Sequence, residues 1–371
     1  MREFVKNLQI DEIGGHAGAW PSKGLVSGRR LWRVALPRDR FQWGPPVLYR
    51  SGYRAAGRRA LVLLVALCFL SPVGFADTNS VDRGLSWLAA RQRADGSWSA
   101  NVALNSLPLL AFLSAGHVPG NAPHGPAIER GLAFVLSQQS DDGAFTAGGG
   151  MMYGHGIATL LLAECVGMTR QDARVRVALE KAVRLTLRSQ AVEKSEIHAG
   201  GWRYEPNSTD SDLSITVWQL MALKAASDAG VAVPRRAIDD ALAYLRRCEH
   251  PRGGFGYQPG GLPNESRTAS ALVMLTLCGV GNDPAVERSR IWLQSHPLRW
   301  PNPYFYYAAH YGAHAGAGKA EPALVARQDP DGSWSAPSNS AEQIQGGPLY
   351  CTSMAILSLT ATNHFLPVYL Y

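Results

Sequence analysis

One motif returns along the chain and restricts the possible fold more than any other feature. Arg83–Trp98 reads RGLSWLAARQRADGSW, and Arg130–Phe145 reads RGLAFVLSQQSDDGAF, with the same residue types in the same register. Arg327–Trp334 repeats the second half of this motif as RQDPDGSW. A unit that returns after some tens of residues predicts a repeat architecture in which each unit packs on its neighbours.

Weaker copies lie in Leu187–Trp202, Asp240–Phe255 and Arg290–Trp300. Every copy ends on an aromatic residue, and these closing aromatics are Trp98, Phe145, Trp202, Phe255, Trp300 and Trp334. In each unit, apolar residues at helical spacing predict an amphipathic helix, and Gln-x-x-Asp-Gly predicts the turn that ends it. We expect the aromatic to fill the gap between neighbouring units.

A second, more apolar helix is predicted after each turn. These helices are Leu107–Ala115, Gly156–Val166, Leu213–Ala226, Ala269–Gly279, Tyr304–Ala315 and Thr352–Thr360. They are apolar nearly all round, as helices buried on both sides are. Since one hairpin cannot cover both faces of such a helix, the alternation predicts an all-α (α/α)6 toroid, a closed double ring of about twelve helices. An open solenoid is the alternative, but it needs polar caps that the sequence lacks.

The first part of the chain is predicted to be separate from this domain. Three arginines, Arg54, Arg58 and Arg59, precede the apolar run of residues 60–70, and small residues lead to Ala76. This order is typical of a secretory signal peptide over residues 54–76, and the run is short for a bilayer span. Export to the periplasm or medium is therefore expected, with a membrane anchor as the alternative. Residues 1–53 are interpreted as a disordered extension or a start codon assigned too early, and residues 77–371 as the toroid.

Net charge divides the chain at the same place. Residues 1–76 hold 12 basic and 4 acidic residues, whereas the remainder holds 24 basic and 25 acidic residues. The toroid is thus almost neutral, and its charge gives no support for nucleic-acid binding. Contact with a membrane is expected only through the N-terminal segment, if that segment is not cleaved.

The repeated pattern resembles the QW motif of squalene-hopene cyclases and related triterpene cyclases, and the helical scaffold is similar to that of protein prenyltransferase β subunits. This resemblance covers residues 81–371. Three stretches, Met152–Glu164, Gly200–Ala226 and Asn363–Tyr371, resemble secreted bacterial proteins with prenyltransferase/squalene-oxidase repeats and no established activity. The chain is identified as a member of that group, which implies the same toroid fold.

The resemblance also implies where a catalytic acid would lie. In the cyclases an Asp-x-Asp-Asp motif begins an inner helix, and its third residue protonates the substrate. Asp210 and Asp212 match the first and third positions of this motif, but Leu213 replaces the fourth. A neighbouring carboxylate normally tunes such an acid. Three interpretations stay open, in which Asp212 acts as the acid, the aspartates cap the helix, or they belong to a polar binding site.

Prenyltransferases of this kind hold zinc through Asp, Cys and His. Cys351 matches the cysteine, but Leu349 stands in place of the aspartate. His155 and His310 could join Cys351, although sequence does not fix their geometry. We therefore predict no metal and no cofactor.

Candidate site residues are expected near the starts of the inner helices, around the mouth of a central cavity. They are Tyr153, His155, Trp202, Asp210, Asp212, Arg267, Tyr304, His310, Tyr350 and Cys351. Apolar walls below would be formed by Leu160, Trp218, Met221, Met274 and Met354, and such a lining suits an isoprenoid or another apolar small molecule. The alternative is that these residues pack the ring shut.

Three functions remain open at this point, because fold alone does not choose among them. The first is a binding or scaffold module that has lost its catalytic residues. The second is a class II terpenoid cyclase-like enzyme that protonates an isoprenoid with Asp212. The third is a carbohydrate-active or peptide-modifying toroid.

Overall fold

A computed structural model of the chain describes residues 78–316 and 320–370. The predicted N-terminal extension and signal peptide lie outside these residues. The described part is helical, and its only β-structure consists of isolated bridges. None of its helices combines the length and apolar character needed to cross a membrane.

Outer and inner helices alternate along the chain. The outer helices are α1 (Thr78–Ala90), α3 (Gly125–Ser137), α5 (Asp172–Gln190), α7 (Arg235–Arg247), α9 (Pro284–Ser295) and the short α11 (Glu321–Val325). The inner helices are α2 (Ala103–Ser114), α4 (Met151–Cys165), α6 (Leu213–Asp228), α8 (Glu265–Leu277), α10 (Phe305–His314) and α13 (Gly347–Leu359). A short helix, α12 (Ala341–Gln345), precedes α13.

The inner helices form a closed ring. Each one packs on the next, and α13 returns to pack on α2. Nearly every residue of an inner helix is buried, whereas an outer helix such as α7 buries one face only. The predicted (α/α)6 toroid is confirmed, and the open solenoid is excluded. Several inner helices begin about one turn earlier than predicted, because their first turns carry the less apolar residues of the ring's surface.

The repeated motif forms the corner between an outer and an inner helix. The Gln92 side-chain amide donates to Gly96 O at 3.0 Å and to Ala127 O, on the next outer helix, at 2.8 Å. Gln139, Gln190 and Gln328 make the equivalent pairs of hydrogen bonds. The turn glycine has a positive φ and lies so close to the next outer helix that a side chain would collide with it. Each corner therefore joins two repeats.

The last corner joins the final repeat to the first. Gln328 Nε2 donates to Ser80 O at 2.8 Å, and Trp87 Nε1 donates to Asp331 Oδ2 at 2.8 Å. Gly84 packs so tightly on Trp334 that an added Cβ would stand 2.8 Å from the indole ring. The ring is thus closed by the same contacts that join its other repeats.

The inner helices all begin at one end of the ring, which we call the mouth. Met152 N donates to Tyr204 O, and Leu213 N donates to Tyr257 O, so the starts of α4, α6 and α8 are adjacent. Val102 N donates to Ala147 O, which places the start of α2 beside that of α4. These contacts bring the loops after the closing aromatics together around the mouth.

The far end of the ring is covered by residues 366–369. Val368 N donates to Glu164 Oε1 at 3.2 Å, and the Tyr369 ring stacks on His314 at 3.6 Å. Between the two ends, Trp218 on α6 makes edge contacts with Tyr307 and Tyr311 on α10. Aromatic side chains therefore meet across the centre of the ring.

Candidate functional site

Asp212 lies at the mouth, at the start of α6, and is fully buried. It is the N-cap of α6, and its Oδ1 accepts a hydrogen bond from Ile215 N at 2.9 Å. Its other oxygen, Oδ2, has no hydrogen-bond partner in the described part of the chain. Burial raises the pKa of Asp212 to about 6, and the positive charge of Arg203 opposes this rise. The residue thus combines a capping role with a buried carboxyl group that has both Arg203 and the Tyr257 side chain beside it.

Arg203 is the cation nearest to this carboxylate. Its Nε lies 3.8 Å from Asp212 Oδ2, and its Nη1 lies 3.4 Å from Oδ2 of the half-exposed Asp210. Its guanidinium also lies over the rings of Tyr204 and Tyr257, at 4.9 and 5.4 Å from their centroids. Both aspartates of the Asp-x-Asp pair are therefore neutralised in part by one arginine that sequence analysis did not single out.

Tyrosines are concentrated at the starts of the inner helices and in the loops that lead to them. We define the tyrosine rim as Tyr153, Tyr204, Tyr257, Tyr304, Tyr307 and Tyr350. The Tyr153 and Tyr204 rings are 6.2 Å apart, and the hydroxyls of Tyr204 and Tyr257 are hydrogen-bonded to each other. Burial is the main cause that raises the pKa of these phenols, so they stay neutral at physiological pH. The rim offers neutral hydroxyls and ring edges to a ligand.

Arg267, another predicted site residue, completes the polar side of the mouth. Arg267 lies on the first turn of α8, and its guanidinium lies 5.2 Å from the centroid of the Tyr257 ring. It also donates to Leu262 O at 3.2 Å. Tyr257 is thus in contact with two guanidinium groups, those of Arg203 and Arg267.

The remaining inner helices give the mouth an apolar side. Their first turns hold side chains that are only partly buried, although the turns below are buried almost completely. These side chains are Leu104 on α2, Met151 and Tyr153 on α4, Tyr304 at the start of α10, and Leu349 on α13. The mouth is therefore amphipathic, with charges at α6 and α8 and apolar side chains elsewhere.

Two of the predicted site residues belong to the corners instead. His155 Nδ1 accepts the backbone N–H of Phe145 at 3.3 Å, a position held in other repeats by Asn105, Thr216, Thr268 and Thr352. The His155 Nε2 contacts Thr186 at 3.0 Å, and burial lowers the pKa of this imidazole to about 4. Trp202 donates from its indole N–H to Thr186 O at 2.8 Å and fills its corner. Neither side chain faces the charged group around Asp212.

His310 lies deeper in the ring, and Cys351 is buried near the start of α13. His310 Nε2 contacts the Tyr369 hydroxyl at 3.3 Å, and burial lowers the pKa of His310 to about 4. Burial raises the pKa of the Cys351 thiol, which keeps it protonated and makes it a poor metal ligand. No group of three metal-ligating side chains occurs among the residues that the structure describes. His155, His310 and Cys351 are thus not brought together.

The predicted walls are closely packed. Leu160, Trp218, Met221, Met274 and Met354 are all buried. Trp218 makes its aromatic contacts with α10, and Met221 Sδ accepts from the Tyr369 hydroxyl at 3.7 Å. At the level of Trp218 the ring is occupied by its own side chains, which favours the packed alternative there and leaves the mouth as the accessible end.

Glu342 is a buried carboxylate beside this region that sequence analysis missed. It lies on α12 and accepts the backbone N–H groups of Tyr306 at 3.2 Å and Tyr307 at 2.9 Å. Burial raises the pKa of Glu342 to about 7, and these hydrogen bonds oppose the rise. Glu342 therefore caps the start of α10 and holds two tyrosines of the helix in place.

The closed ring of inner helices, each paired with an outer helix, defines an α/α toroid. The sequence matches the profile of the prenyltransferase alpha-alpha toroid domain over residues 97–299, which is more than half of the chain. The chain therefore belongs to the prenyltransferase alpha-alpha toroid domain family. No curated protein matches the sequence significantly.

Solved structures share the fold at low sequence identity. An Actinoplanes protein is 17% identical, with a TM-score of 0.54, over 77% of this chain and 99% of its own. The GH76A α-1,6-mannanase from Salegentibacter is 8% identical, with a TM-score of 0.59, over the same shares of the two chains. The type II terpene cyclase MstE from Scytonema is 17% identical, with a TM-score of 0.47, over 78% of this chain and 99% of its own. At these identities the likeness concerns the fold alone.

Proposed function

We propose that this toroid is a binding module that holds an apolar small molecule, of the isoprenoid class, at its mouth. The observation that carries the proposal is the amphipathic character of the mouth, where apolar side chains on four inner helices remain partly exposed. Exposed apolar surface that faces a ring of polar groups is typical of a ligand site. The polar side, at Asp212 and Arg203, would then orient the ligand.

Burial of the ligand's tail supplies the driving force in this proposal. Each apolar side chain that the tail covers contributes roughly 25 cal/mol for every Å² removed from water. The aromatic contacts of Trp218 with Tyr307 and Tyr311 form the floor under the mouth. A ligand is therefore expected to lie over this floor rather than to pass through the ring.

A matched pair of substitutions tests the proposal. Leu349→Gln places an amide on the apolar side of the mouth, whereas Ile291→Gln makes the same kind of change on the exposed face of α9. Binding of farnesol and squalene is measured by equilibrium dialysis. We expect Leu349→Gln to weaken binding roughly five-fold or more and Ile291→Gln to leave it unchanged. Failure of the wild-type protein to bind either isoprenoid would overturn the proposal.

A second candidate is the cyclase-like enzyme with Asp212 as the acid. Burial favours it, because burial raises the pKa of Asp212 to about 6 and so increases the protonated fraction. Arg203 at 3.8 Å opposes it, since a neighbouring cation stabilises the carboxylate and weakens its drive to protonate a hydrocarbon. The structure therefore supports binding better than catalysis.

Turnover decides between the two candidates. Squalene and longer-chain prenyl substrates are incubated with the protein, and cyclised products are sought by gas chromatography. The enzyme hypothesis requires products that disappear in Asp212→Asn, whereas the binding module releases its ligand unchanged.

We also propose that the domain acts outside the cytoplasm. Support comes from the sequence of residues 54–76, in which a basic segment precedes an apolar run and a small-residue exit. N-terminal sequencing of the protein from the producing cell is expected to begin at Asp77. Recovery of the uncleaved chain from the membrane fraction would support the anchored alternative instead.

A further inference from the structure

The last residues of the described chain lie across the far end of the ring, and we call residues 364–370 the strap. Within it, Val368 and Tyr369 are buried against α6 and its neighbours. On either side of them, Phe365 and Leu370 are 55% and 59% exposed. The regular structure of the strap is a single 3₁₀ turn, so few contacts hold it in place. A segment of this kind can open locally while the rest of the fold stays intact.

The best-defined contacts of the strap are made to titratable side chains. Val368 N donates to Oε1 of Glu164, on the last turn of α4, at 3.2 Å. The Tyr369 hydroxyl lies 3.3 Å from His310 Nε2, and the Tyr369 ring stacks on His314 at 3.6 Å. The closed strap therefore contacts one carboxyl group and two imidazoles.

The position of Glu164 is unfavourable for a negative charge. Its side chain is fully buried, and its Oε2 has no hydrogen-bond partner among the described residues. It also stands at the carboxyl end of α4, where the helix dipole disfavours an anion. Burial accordingly raises the pKa of Glu164 to about 8, and the hydrogen bond from Val368 N opposes this rise. The closed strap thus favours the protonated carboxyl group.

Neighbouring charges do not remove this preference. Lys224 on α6 attracts a carboxylate at Glu164, but Asp228 on the same helix repels it, and the two form an ion pair with each other. Asp172, at the start of α5, is paired with Arg176. The helix on the other side of α4, α2, has no titratable side chain. The other titratable groups near the strap are Cys165, His117, His310, His314 and His364.

We propose that the strap is a pH-sensitive closure of the far end, which opens when Glu164 loses its proton. In the open form Glu164 meets water and returns toward its ordinary pKa of 4.5. The contribution of this group to closure is fully present below about pH 4.5 and is lost as the pH rises through about 8. Between these values it increases the open population roughly ten-fold for each pH unit. The inference does not depend on what the mouth binds.

The two imidazoles act in the opposite sense. Burial lowers the pKa of His310 to about 4 and that of His314 well below its usual value, so both are neutral under the closed strap. Their protonation favours opening as the pH falls below about 6.5. Closure is therefore expected to be most stable near pH 6, and the change above that pH is assigned to Glu164.

Hydrogen exchange followed by mass spectrometry measures the opening in the full chain. Peptides that cover residues 364–370 report on the strap, and peptides from α8 report on the rest of the ring. Glu164→Gln keeps an acceptor for Val368 N but cannot ionise. Because intrinsic exchange rates of these peptides are the same in both proteins, the ratio of wild-type to variant rates isolates Glu164. We expect this ratio to rise more than ten-fold between about pH 6 and pH 8 in the strap and to stay constant in α8.

Two further variants serve as controls. Glu342→Gln makes the same change in another buried glutamate that accepts backbone N–H groups, but at the mouth, and should leave exchange of the strap unchanged. Tyr369→Phe removes the hydroxyl beside His310 and leaves Glu164 in place. It should speed exchange of the strap several-fold, by the same factor at about pH 7 and pH 8.

Three results would overturn the proposal. The first is a ratio of wild type to Glu164→Gln that does not change with pH in the strap. The second is an equal rise in the α8 peptides, since Glu164 would then act on unfolding of the whole ring. The third is an equal effect of Glu342→Gln on the strap. If Glu164→Gln does not fold, the wild type decides alone: its strap exchange, corrected for the intrinsic rate, must still rise between about pH 6.5 and pH 8.

Discussion

Asp212→Asn is expected to stabilise the protein at neutral pH, although it removes a residue that could be catalytic. The Asp212 carboxylate is fully buried, and Arg203 stands 3.8 Å away without a hydrogen bond to it. Desolvation therefore outweighs the attraction to Arg203, which is why the pKa is raised rather than lowered. Asparagine is isosteric, needs no charge, and is as good an N-cap as aspartate.

The size of the effect follows from the pKa. Burial raises the pKa from 3.8 to about 6, so the fold favours the protonated acid. The associated stability is fully present below the unfolded pKa and is lost as pH rises through the folded one. With about 1.36 kcal/mol for each pKa unit, the ionised carboxylate costs about 3 kcal/mol above neutrality. Asparagine avoids this cost, and for a domain of this size the melting temperature would rise by roughly 5 °C.

Urea unfolding followed by circular dichroism measures the free energy of unfolding at about pH 4 and about pH 7.5. The variant should exceed the wild type at the higher pH and match it at the lower. Asp212→Ala is the control for capping, because it removes both the charge and the cap and should lose about 0.5–2 kcal/mol relative to Asp212→Asn. A destabilised Asp212→Asn at about pH 7.5 would refute the reasoning, since it would mean that Arg203 stabilises the carboxylate by more than burial costs.

Three further changes test other parts of the ring. Burial raises the pKa of Glu164 to about 8, so the protein is expected to lose stability as the pH rises from about 5 to 8 and this group ionises. Glu164→Gln should abolish that loss, as thermal melts across the range would show. Parallel curves for variant and wild type would contradict the assignment. Gly84→Ala should destabilise the protein by roughly 1–3 kcal/mol in urea unfolding, because the new Cβ would stand 2.8 Å from Trp334. The control Ala89→Gly, on the same helix, should cost less than about 1 kcal/mol. Glu342→Ala should lower the free energy of unfolding by about 1–3 kcal/mol, because it leaves two buried N–H groups at the start of α10 unpaired. Glu342→Gln should recover most of this loss. Equal losses in both variants would exclude the capping role.

The toroid could be predicted from sequence because its corners are formed by the same few residue types. A glutamine, an Asp-Gly turn and an aromatic return together, and each performs a task that other residue types perform poorly. Gln92 reaches two carbonyls at once, and Gly96 has a positive φ beside the next helix. The residues of one corner therefore determine how that repeat packs on the next.

The site was only partly predictable. Asp210, Asp212, Tyr153 and Tyr304 stand at helix starts, where the toroid geometry places them at the mouth. Arg203 and Tyr257 lie in loops of unequal length, so no periodicity marks them. Which residues meet across a ring depends on loop conformation, and a sequence pattern does not specify it.

His155 shows the same limit from the other direction. Its position in the corner corresponds to Asn105 and Thr216, but the distance along the chain from the closing aromatic differs between repeats. Equal roles are therefore not visible as equal spacings. From the sequence, a histidine at the start of an inner helix is a candidate metal ligand. In the structure, His155 accepts a hydrogen bond from the backbone amide of Phe145.

The contact of Trp334 and Gln328 with the first outer helix has a consequence for how the domain is made. A linear array can be lengthened, shortened or folded from one end, since every added unit finds a complete surface waiting for it. In this ring the first and last repeats are each other's neighbours, so during synthesis the first repeat lacks one neighbour until the ribosome has released the last. Removing a single hairpin would also change the circumference. Folding is therefore expected to be post-translational and all-or-none, and evolution of the domain to proceed through its loops rather than its number of repeats.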